Sequence, residues 1–461
     1  MNKVKMSLLL VAVVFTLGAF SGCGNSKSAD NDKVILRIAN SEEYIDEGSW
    51  DDDEAIELDD ATIIGENSLV DDFEQWYKET YGIEVEVQYS TYGTNEELYN
   101  QMSLGNVFDL VCPSDYMIMK LMSEDRLQPL SDDFQNIANS LNYYTNGVSP
   151  YISGVFNDLT YESESISKYA ACYMWGTMGL VYNPNELSEG DVKHWNVLLN
   201  NDYYKRVTMK DSVRDSFFVA QCIANMDTVM SADFLNDSDY YENLSSLLND
   251  TSAEAVDRAE NILSDMRKNC YSLETDSGKA DMITGKVIAN MQWSGDAVYT
   301  MDQAEEDGVL LAYSVPQECT NLWFDGWVMM KNGIAEDERK QQAAEAFINY
   351  VSKPENAIRN MYYIGYTSGI SGGDSDLIKQ YLEWSYGAED GDETTEYDLG
   401  YFFGDDYLLT CSKEQTKRQL YAQYPTEEVI NRAVVMRFFD EDANDRIMQM
   451  WTNIRCFDIG W

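Results

Sequence analysis

One short stretch of the chain places a carboxylate among large aromatic rings. Asp325 stands between Trp323-Phe324 and Gly326-Trp327. An aromatic face attracts a cation by roughly 0.5–2 kcal/mol, and a neighbouring carboxylate adds charge-assisted hydrogen bonds to an ammonium group. Gly326 allows the backbone to approach closely or to adopt a positive φ. The stretch therefore indicates a cation-binding site or, alternatively, a buried strand end at which the aspartate caps a turn.

Catalytic and metal-binding motifs are scarce in the sequence. The single histidine, His194, cannot form a histidine-based metal site, and its place between Lys193 and Trp195 indicates an exposed helix end. Of the eight cysteines, seven follow Cys23 without a C-x-x-C pair, which disfavours a zinc site and a disulfide framework but leaves a single bridge open. Phosphate-loop, dinucleotide-binding and nucleophile-elbow motifs are absent. We therefore predict no metal, no cofactor and no catalytic residues.

The charge of the chain restricts its partners. A net charge of −49 argues against binding of nucleic acid or anionic lipid through the body of the protein. It favours cationic partners only weakly, because most surface carboxylates are simply solvated.

The 44% of hydrophobic residues indicates a folded globular protein, and 461 residues are enough for one large domain or two medium ones.

The amino terminus has the pattern of an export signal. A basic start precedes a short apolar run, residues 8–17, which is too short and wrongly flanked to span a membrane. The tetrapeptide Phe20-Ser21-Gly22-Cys23 resembles a bacterial lipobox, which implies lipid modification of the cysteine. We therefore expect residues 1–22 to be a lipoprotein signal peptide and residues 23–32 a flexible tether. The protein would be exported and held at the outer face of the cell membrane, or would be periplasmic.

Strand and helix patterns alternate along the rest of the chain. Val34–Ala39 and Phe108–Cys112 have the pattern of buried strands, residues 69–81 repeat at helical spacing, and Thr94 opens a capping box. This alternation predicts an α/β fold with a mainly parallel sheet, in which ligands bind beyond the carboxyl ends of strands. Three polar and aromatic clusters lie where a strand is expected to end: residues 40–44, 113–116 and 322–327.

Two acidic segments interrupt this alternation. Residues 46–60 lack the glycine and ligand spacing of an EF-hand, so a solvated loop is expected. Residues 387–406 are acidic and rich in glycine, which predicts a surface insertion.

The order and spacing of several short motifs resemble the spermidine/putrescine-binding proteins of bacterial ABC transporters. The resemblance extends from Val34 to the last helix. It rests on residues 40–44, 90–96, 108–116, 173–177, 211–215, 291–295, 323–325 and 363–366. It implies a type II periplasmic-binding-protein fold: two α/β lobes joined by crossing hinge segments, with a ligand cleft between them. The lobes would comprise residues 33–174 with 326–374, and residues 175–325 with 375–461.

The resemblance also implies a set of ligand-binding residues. Asp325 would receive an amine of the ligand, flanked by Trp323 and Trp293. The other matching cleft positions are Glu43, Tyr44, Ser114, Tyr116, Asp215 and Tyr366. Where the family commonly has a tryptophan after the first asparagine, this chain has Ser41 followed by Glu42. One aromatic wall is lost and one carboxylate is gained, so Ser41, Glu42 and Asp211 are further candidates.

The function that the resemblance implies is capture of a polyamine and its delivery to a membrane permease by a monomeric, lipid-anchored protein. A polyamine is a flexible chain of ammonium groups and methylenes, so spaced carboxylates and flat apolar walls suit it. Two alternatives remain open. The same fold could bind another small cation or a zwitterion, because of Ser41. A surface-anchored hydrolase with paired carboxylates is the other alternative, since Asp and Glu total 81.

Overall fold

The computed structural model describes residues 33–275 and 277–456. The predicted signal peptide, the tether and the lipidation at Cys23 lie outside the described residues. Within these ranges, no helix combines the length and the apolar character that a membrane span requires.

The strands of the described chain, in order, are β1 (Lys33–Ser41), β2 (Ile56–Glu57), β3 (Thr62–Ile63), β4 (Glu84–Tyr92), β5 (Leu110–Val111), β6 (Leu127–Gln128), β7 (Thr160–Tyr161), β8 (Glu164–Ser165), β9 (Ala170–Tyr182), β10 (Val207–Lys210), β11 (Leu273–Glu274), β12 (Ala289–Trp293), β13 (Ala312–Ser314), β14 (Thr320–Met330), β15 (Thr367–Ser368), β16 (Thr394–Asp398), β17 (Leu408–Ser412) and β18 (Ala433–Val434).

The α-helices are α1 (Leu69–Tyr81), α2 (Asn95–Ser103), α3 (Asp115–Ser123), α4 (Tyr143–Gly147), α5 (Pro150–Asp158), α6 (Val213–Val229), α7 (Ala232–Leu235), α8 (Tyr240–Leu248), α9 (Ala253–Asn269), α10 (Ser277–Ile283), α11 (Ser294–Glu306), α12 (Lys331–Ile334), α13 (Glu338–Val351), α14 (Pro354–Ile364), α15 (Leu377–Tyr386), α16 (Gly400–Phe403), α17 (Gln419–Gln423), α18 (Glu427–Ile430) and α19 (Glu441–Cys456).

Local signals account for several helix ends. The hydroxyl of Thr94 accepts a hydrogen bond from the Glu97 amide, as the capping-box spacing predicts. Gly82 ends α1 with a φ of 68°, a conformation that glycine adopts without strain. Helix α6 begins at Val213, earlier than its apolar run indicates, because Ser212 caps it through the Asp215 amide.

A single sheet of twelve strands connects the two halves of the molecule. Its main order is β11-β10-β12-β9-β14-β5-β1-β4. Strand β1 pairs in parallel with β4 and β5, but β9 pairs antiparallel with both β12 and β14. The sheet is therefore mixed, and the prediction of a mainly parallel sheet is wrong.

Strand β9 is shared by separate hydrophobic cores. Its residues 170–175 belong to a core that surrounds β1, β4, β5 and β14. Met178, Leu180 and Tyr182 belong to a second core, which surrounds β10, β12 and α6. All 13 residues of β9 are buried, as expected for a strand covered on both faces. Two α/β units that share a strand agree with the predicted two-lobed fold.

The two acidic segments are more structured than their composition indicates. Residues 394–398 and 408–412 form the antiparallel hairpin β16–β17, and Tyr397, Leu399 and Phe402 are buried in the first core. The prediction of a surface insertion at residues 387–406 is therefore wrong for its aromatic residues, which pack inward. The segment 46–60 is largely irregular, but Trp50 and Ile56 within it are buried.

Candidate ligand-binding site

The centre of the site is Asp325, which lies inside β14 where the strand register shifts between Asp325 and Gly326. Such an irregularity re-aims a side chain relative to the regular ladder. The Oδ1 atom accepts a hydrogen bond from Ser114 Oγ at 2.6 Å, and Oδ2 accepts one from Tyr44 OH at 2.7 Å. The prediction that residues 322–327 lie at a strand end is wrong, but Tyr44, Ser114 and Asp325 are in contact.

The electrostatic environment of Asp325 suits a cation. Its carboxylate is half-buried, and burial raises its pKa, while the hydrogen bonds from Ser114 and Tyr44 oppose that rise. Burial, together with the charge of Asp325, raises the pKa of Tyr44 well above its ordinary value, so this hydroxyl stays a donor. No lysine or arginine in the described part of the chain pairs with Asp325. Its negative charge therefore has hydroxyl partners but no cationic one.

Two residues that the sequence analysis did not select support this centre. Asn95 accepts a hydrogen bond from the Ser114 amide at 3.0 Å and donates one to its hydroxyl at 2.9 Å. Asp115 accepts a hydrogen bond from the Phe324 amide at 3.0 Å. Burial raises the pKa of Asp115 to about 8, and the charge of Asp325 adds to the effect.

Ser114 serves a different purpose from the one that the sequence suggests. It occupies the N-cap position of α3, as predicted, but its side chain makes no capping hydrogen bond to that helix. Its hydroxyl donates to Asp325 instead. Asn95 belongs to the motif 90–96 on which the family resemblance rests, and this was the signal by which it could have been found.

Several aromatic side chains line one side of the site around Asp325. The Tyr44 ring makes edge-to-face contacts with Tyr366 and Tyr173, with centroid distances of 5.3 and 5.6 Å. Tyr366 in turn lies 5.6 Å from the ring of Trp323. A Cβ at Gly295 would lie 2.4 Å from the Tyr366 ring, so that ring requires glycine beneath it. The candidates Tyr44, Trp323 and Tyr366 therefore form one wall.

A second cluster lies beyond Tyr366 and contains Trp293. The Tyr366 hydroxyl donates to Asp296 Oδ1 at 3.1 Å. Lys210 Nζ lies 3.0 Å from Asp296 Oδ2 and 3.7 Å from the centroid of the Trp293 ring. Lys279 Nζ lies 3.0 Å from Asp296 Oδ1. Burial by itself would raise the pKa of Asp296, but the two lysines outweigh it and leave that pKa lowered.

Asp215 adjoins the second cluster, next to Trp293 and Lys210. It is 5% exposed in the first turn of α6. Burial raises the pKa of its carboxyl, and hydrogen bonds from Ser212 and Trp293 and the charge of Lys210 oppose that rise. Asp215 and Trp293, both candidates from the sequence, therefore lie on one side of the site with Lys210 and Asp296, which the sequence analysis missed.

Tyr116 faces a cation of the second core. Its hydroxyl donates to Glu96 at 3.2 Å, and the guanidinium carbon of Arg214 lies 3.7 Å from its ring centroid. The same guanidinium carbon lies 4.0 Å from the centroid of the Phe439 ring. The contact joins α3 to the start of α6.

The remaining candidates, Ser41, Glu42, Glu43 and Asp211, lie outside these two clusters of the described chain. Ser41 ends β1 opposite Tyr92, and Glu42 and Glu43 are exposed, the latter with a φ of 53°. Within the described ranges, none of the three hydrogen-bonds to Asp325. The Asp211 carboxylate pairs with Arg455 at 3.1 Å.

A buried ion pair holds the loop that carries Tyr44. Asp46, which is fully buried, accepts hydrogen bonds from the Gly48 amide and from Trp50 Nε1, at 2.9 and 3.0 Å. Arg359 of α14 lies 2.6 Å from the same carboxylate and also pairs with Asp72 of α1 at 2.8 Å. The loop after β1 is therefore fixed to both helices.

His194 is not a free helix-end residue. It precedes a short 3-10 turn at residues 195–199, and its Nδ1 hydrogen-bonds with the buried carboxylate of Glu318 at 2.9 Å. Among the residues that the structure describes, no group of three or more metal-ligating side chains is placed to hold a metal ion.

Comparison with known proteins gives a family and two sets of relatives. The profile of the bacterial extracellular solute-binding proteins matches residues 68–380. A putrescine/agmatine-binding protein of Pseudomonas aeruginosa is 24% identical over 211 residues, which are 44% of this chain and 52% of that protein. The putrescine-binding periplasmic protein PotF of Escherichia coli is 24% identical over 285 residues, 59% and 67% of the two chains. The match thus spans about half the length of the first relative.

Solved structures of similar fold cover almost the whole chain. The spermidine/putrescine ABC transporter substrate-binding protein PotD of Streptococcus pneumoniae has a TM-score of 0.59 at 23% identity, covering 92% of this chain and 99% of that one. A putative spermidine/putrescine ABC transporter protein of Listeria monocytogenes has a TM-score of 0.60 at 21% identity, with the same coverage. These likenesses confirm the predicted two-lobed α/β fold.

Proposed function

Because the chain belongs to the family of bacterial extracellular solute-binding proteins, we propose that it captures a polyamine and delivers it to the permease of an ABC transporter. The observation that carries the proposal is Asp325: a half-buried carboxylate without a cationic partner in the described chain, beside Tyr44 and the Trp323–Tyr366 wall. An ammonium group placed there gains a charge-assisted hydrogen bond and a cation–π contact. The names of the relatives, which refer to putrescine and spermidine, support the same ligand class.

The proposal includes the location and the mode of action of the protein. The signal peptide at residues 1–22 and lipidation at Cys23 would place it outside the cell membrane. The two lobes would be residues 33–174 with 326–374, and residues 175–325 with 375–461. Because Tyr397, Leu399 and Phe402 pack in the first core, this part of the last segment would move with the first lobe.

Asp325, at the boundary between the lobes in β14, would hold one end of the ligand together with Tyr44 and Ser114 of the first lobe. Trp293 and Asp215 would contact the ligand from the second lobe. The protein releases its ligand unchanged to the permease and has no catalytic step.

The direct test is calorimetric titration of purified, ligand-stripped protein with putrescine, spermidine and spermine. Micromolar affinity corresponds to about −8 kcal/mol, which two or three desolvated ion pairs and stacked rings supply after the costs of association. Absence of binding for all three amines at millimolar concentration would refute the proposal.

A second candidate ligand is a zwitterion, because Lys210 and Lys279 place cations in the second cluster and Arg214 adds another cation against Tyr116. Ornithine differs from putrescine by one carboxylate and separates the two candidates in the same titration. Tighter binding of ornithine than of putrescine would favour the zwitterion.

We expect the affinity for polyamine to fall as the pH is lowered from neutral. The pKa of Asp325 is raised, so its protonation begins at a higher pH than for an ordinary aspartate, and the neutral acid binds a cation poorly. Below that pKa the affinity decreases by about tenfold per pH unit, as for any single-proton linkage. Above pH 8 the ionisation of Asp115, whose pKa is about 8, adds negative charge and strengthens binding further. Titrations across this range check both steps, and Asp115→Asn should abolish only the upper one.

Ligand binding is also expected to make the protein more compact. A ligand that contacts both lobes favours the closed form by its differential affinity for that form. Small-angle scattering with saturating spermidine should give a smaller radius of gyration than without it. Identical profiles under conditions where calorimetry shows saturation would contradict a hinged cleft.

A further inference from the structure

Lys210 occupies surroundings that are themselves suited to an ammonium ion. It is the last residue of β10 and is 1% exposed, which is rare for lysine. Its Nζ atom lies 3.7 Å from the centroid of the Trp293 ring, 3.0 Å from Asp296 Oδ2 and 3.4 Å from the carbonyl oxygen of Thr275. An aromatic face, a carboxylate and a carbonyl are the groups by which proteins bind ammonium ligands. We call this set the Lys210 cage.

The carboxylate of the Lys210 cage already has several partners within the chain. Asp296 lies in the first turn of α11, where its charge is favoured by the helix dipole. Besides Lys210, it receives Lys279 Nζ at 3.0 Å and the Tyr366 hydroxyl at 3.1 Å. Its charge is therefore neutralised from within the chain, in contrast to that of Asp325.

Tyr366 connects the Lys210 cage to Asp325. Its hydroxyl bonds to Asp296, and its ring packs on Tyr44, whose hydroxyl bonds to Asp325. The two carboxylates are thus connected through two adjoining tyrosines. Asp325 and the Lys210 cage therefore share the Tyr44–Tyr366 contact, and the ammonium position of the cage is occupied by a side chain of the protein.

We propose that Lys210 is a tethered ammonium group that occupies this second site and determines how many cationic groups of a ligand the cleft accepts. The part that concerns ligand choice rests on the proposed function. A ligand with one ammonium at Asp325 binds unhindered, whereas a short diamine that also needs Asp296 must displace Lys210. Lys210 is thus a specificity-determining residue, and its removal converts the cage into a site for a free ammonium.

The cage is tested without any polyamine. Lys210→Ala removes three methylenes and the amine, which together equal propylammonium. We expect propylammonium to raise the Tm of Lys210→Ala by about 2 °C or more in a concentration-dependent manner, because a ligand that binds only the folded state stabilises it. The wild type should show a smaller rise in Tm, because only Asp325 is open to the amine there, and uncharged propanol should have no effect on either protein. Equal responses of wild type and variant to propylammonium would overturn the proposal.

Ligand choice is tested with Lys210→Met, which keeps the apolar stem and removes the charge, while Lys279 remains to pair with Asp296. Calorimetry is carried out with putrescine and with butylamine, its single-ammonium analogue. Compared with the wild type, the variant should bind putrescine at least tenfold more tightly, and its affinity for butylamine should change less than twofold. Lys268→Met, which removes an exposed lysine paired with Asp265, is the matched control and should leave both affinities unchanged.

The outcomes separate the two proposals. Equal changes for putrescine and butylamine in Lys210→Met would overturn the role of Lys210 in ligand choice. If putrescine, spermidine and spermine all fail to bind the wild type and Lys210→Met, but propylammonium stabilises Lys210→Ala more than the wild type, the proposed function fails and the tethered ammonium stands.

Discussion

Replacement of Asp325 by asparagine is expected to weaken polyamine binding by about 2–5 kcal/mol, the usual cost of removing one partner of a buried, hydrogen-bonded charge pair. Asparagine keeps the size of the side chain and still accepts a hydrogen bond from Ser114 or Tyr44, so the fold is preserved. The loss arises because the ligand ammonium is then desolvated without an opposite charge. Calorimetric titration of the variant with spermidine measures the effect.

A control for net charge accompanies this variant. Asp233→Asn removes the same charge from an exposed position in α7 and should change the affinity little. Should Asp325→Asn bind spermidine as tightly as Asp233→Asn does, Asp325 lies outside the binding site.

Arg359→Met should cost the protein about 3–5 kcal/mol of unfolding free energy, because it leaves a buried charge without its partner. Asp46 is fully buried and Arg359 is 5% exposed, with 2.6 Å between the charged groups. Burial raises the pKa of Asp46, and Arg359 lowers it, so removal of the arginine drives the carboxyl toward its protonated form. Urea unfolding of variant and wild type at neutral pH gives the difference.

The matched control is Arg258→Met, which breaks an exposed ion pair with Glu254 in α9. Exposed pairs contribute about 0–1 kcal/mol, so this variant should remain close to the wild type. Equal losses in the two variants would show that the Asp46–Arg359 pair is not a special support of the loop that carries Tyr44.

Local patterns in the sequence predicted much of the fold correctly. Residues 69–81 and the capping box at Thr94 became α1 and α2, because amphipathic spacing and caps act over a few residues. The direction of β9 relative to β14 was not predictable in this way. Their pairing joins residues about 150 positions apart in the sequence, and the apolar content of a strand is the same whichever way its neighbour runs.

The residues of the candidate site were likewise predicted only in part from the sequence. Tyr44, Ser114 and Asp325 come from three distant segments, and the order of motifs suggested that they meet. Lys210 gave no such signal, since a lysine at the end of an apolar strand usually marks the point where the chain reaches solvent. Only the folded chain brings Trp293 and Asp296 around it. The bulge at Asp325 was also missed, because no local residue pattern distinguishes it from a strand end.

Strand β9 constrains the order in which the parts of the chain can fold. It is a run of thirteen buried residues without a single charge, and its neighbours β12 and β14 lie more than a hundred residues further along the chain. A growing chain must therefore carry β9 unpaired until residues 289–330 arrive. Such a segment is prone to self-association and folds slowly through distant contacts. We therefore expect the yield of folded protein to fall as the protein concentration during refolding is raised, because β9 of one chain can then meet β9 of another before its own neighbours pair with it.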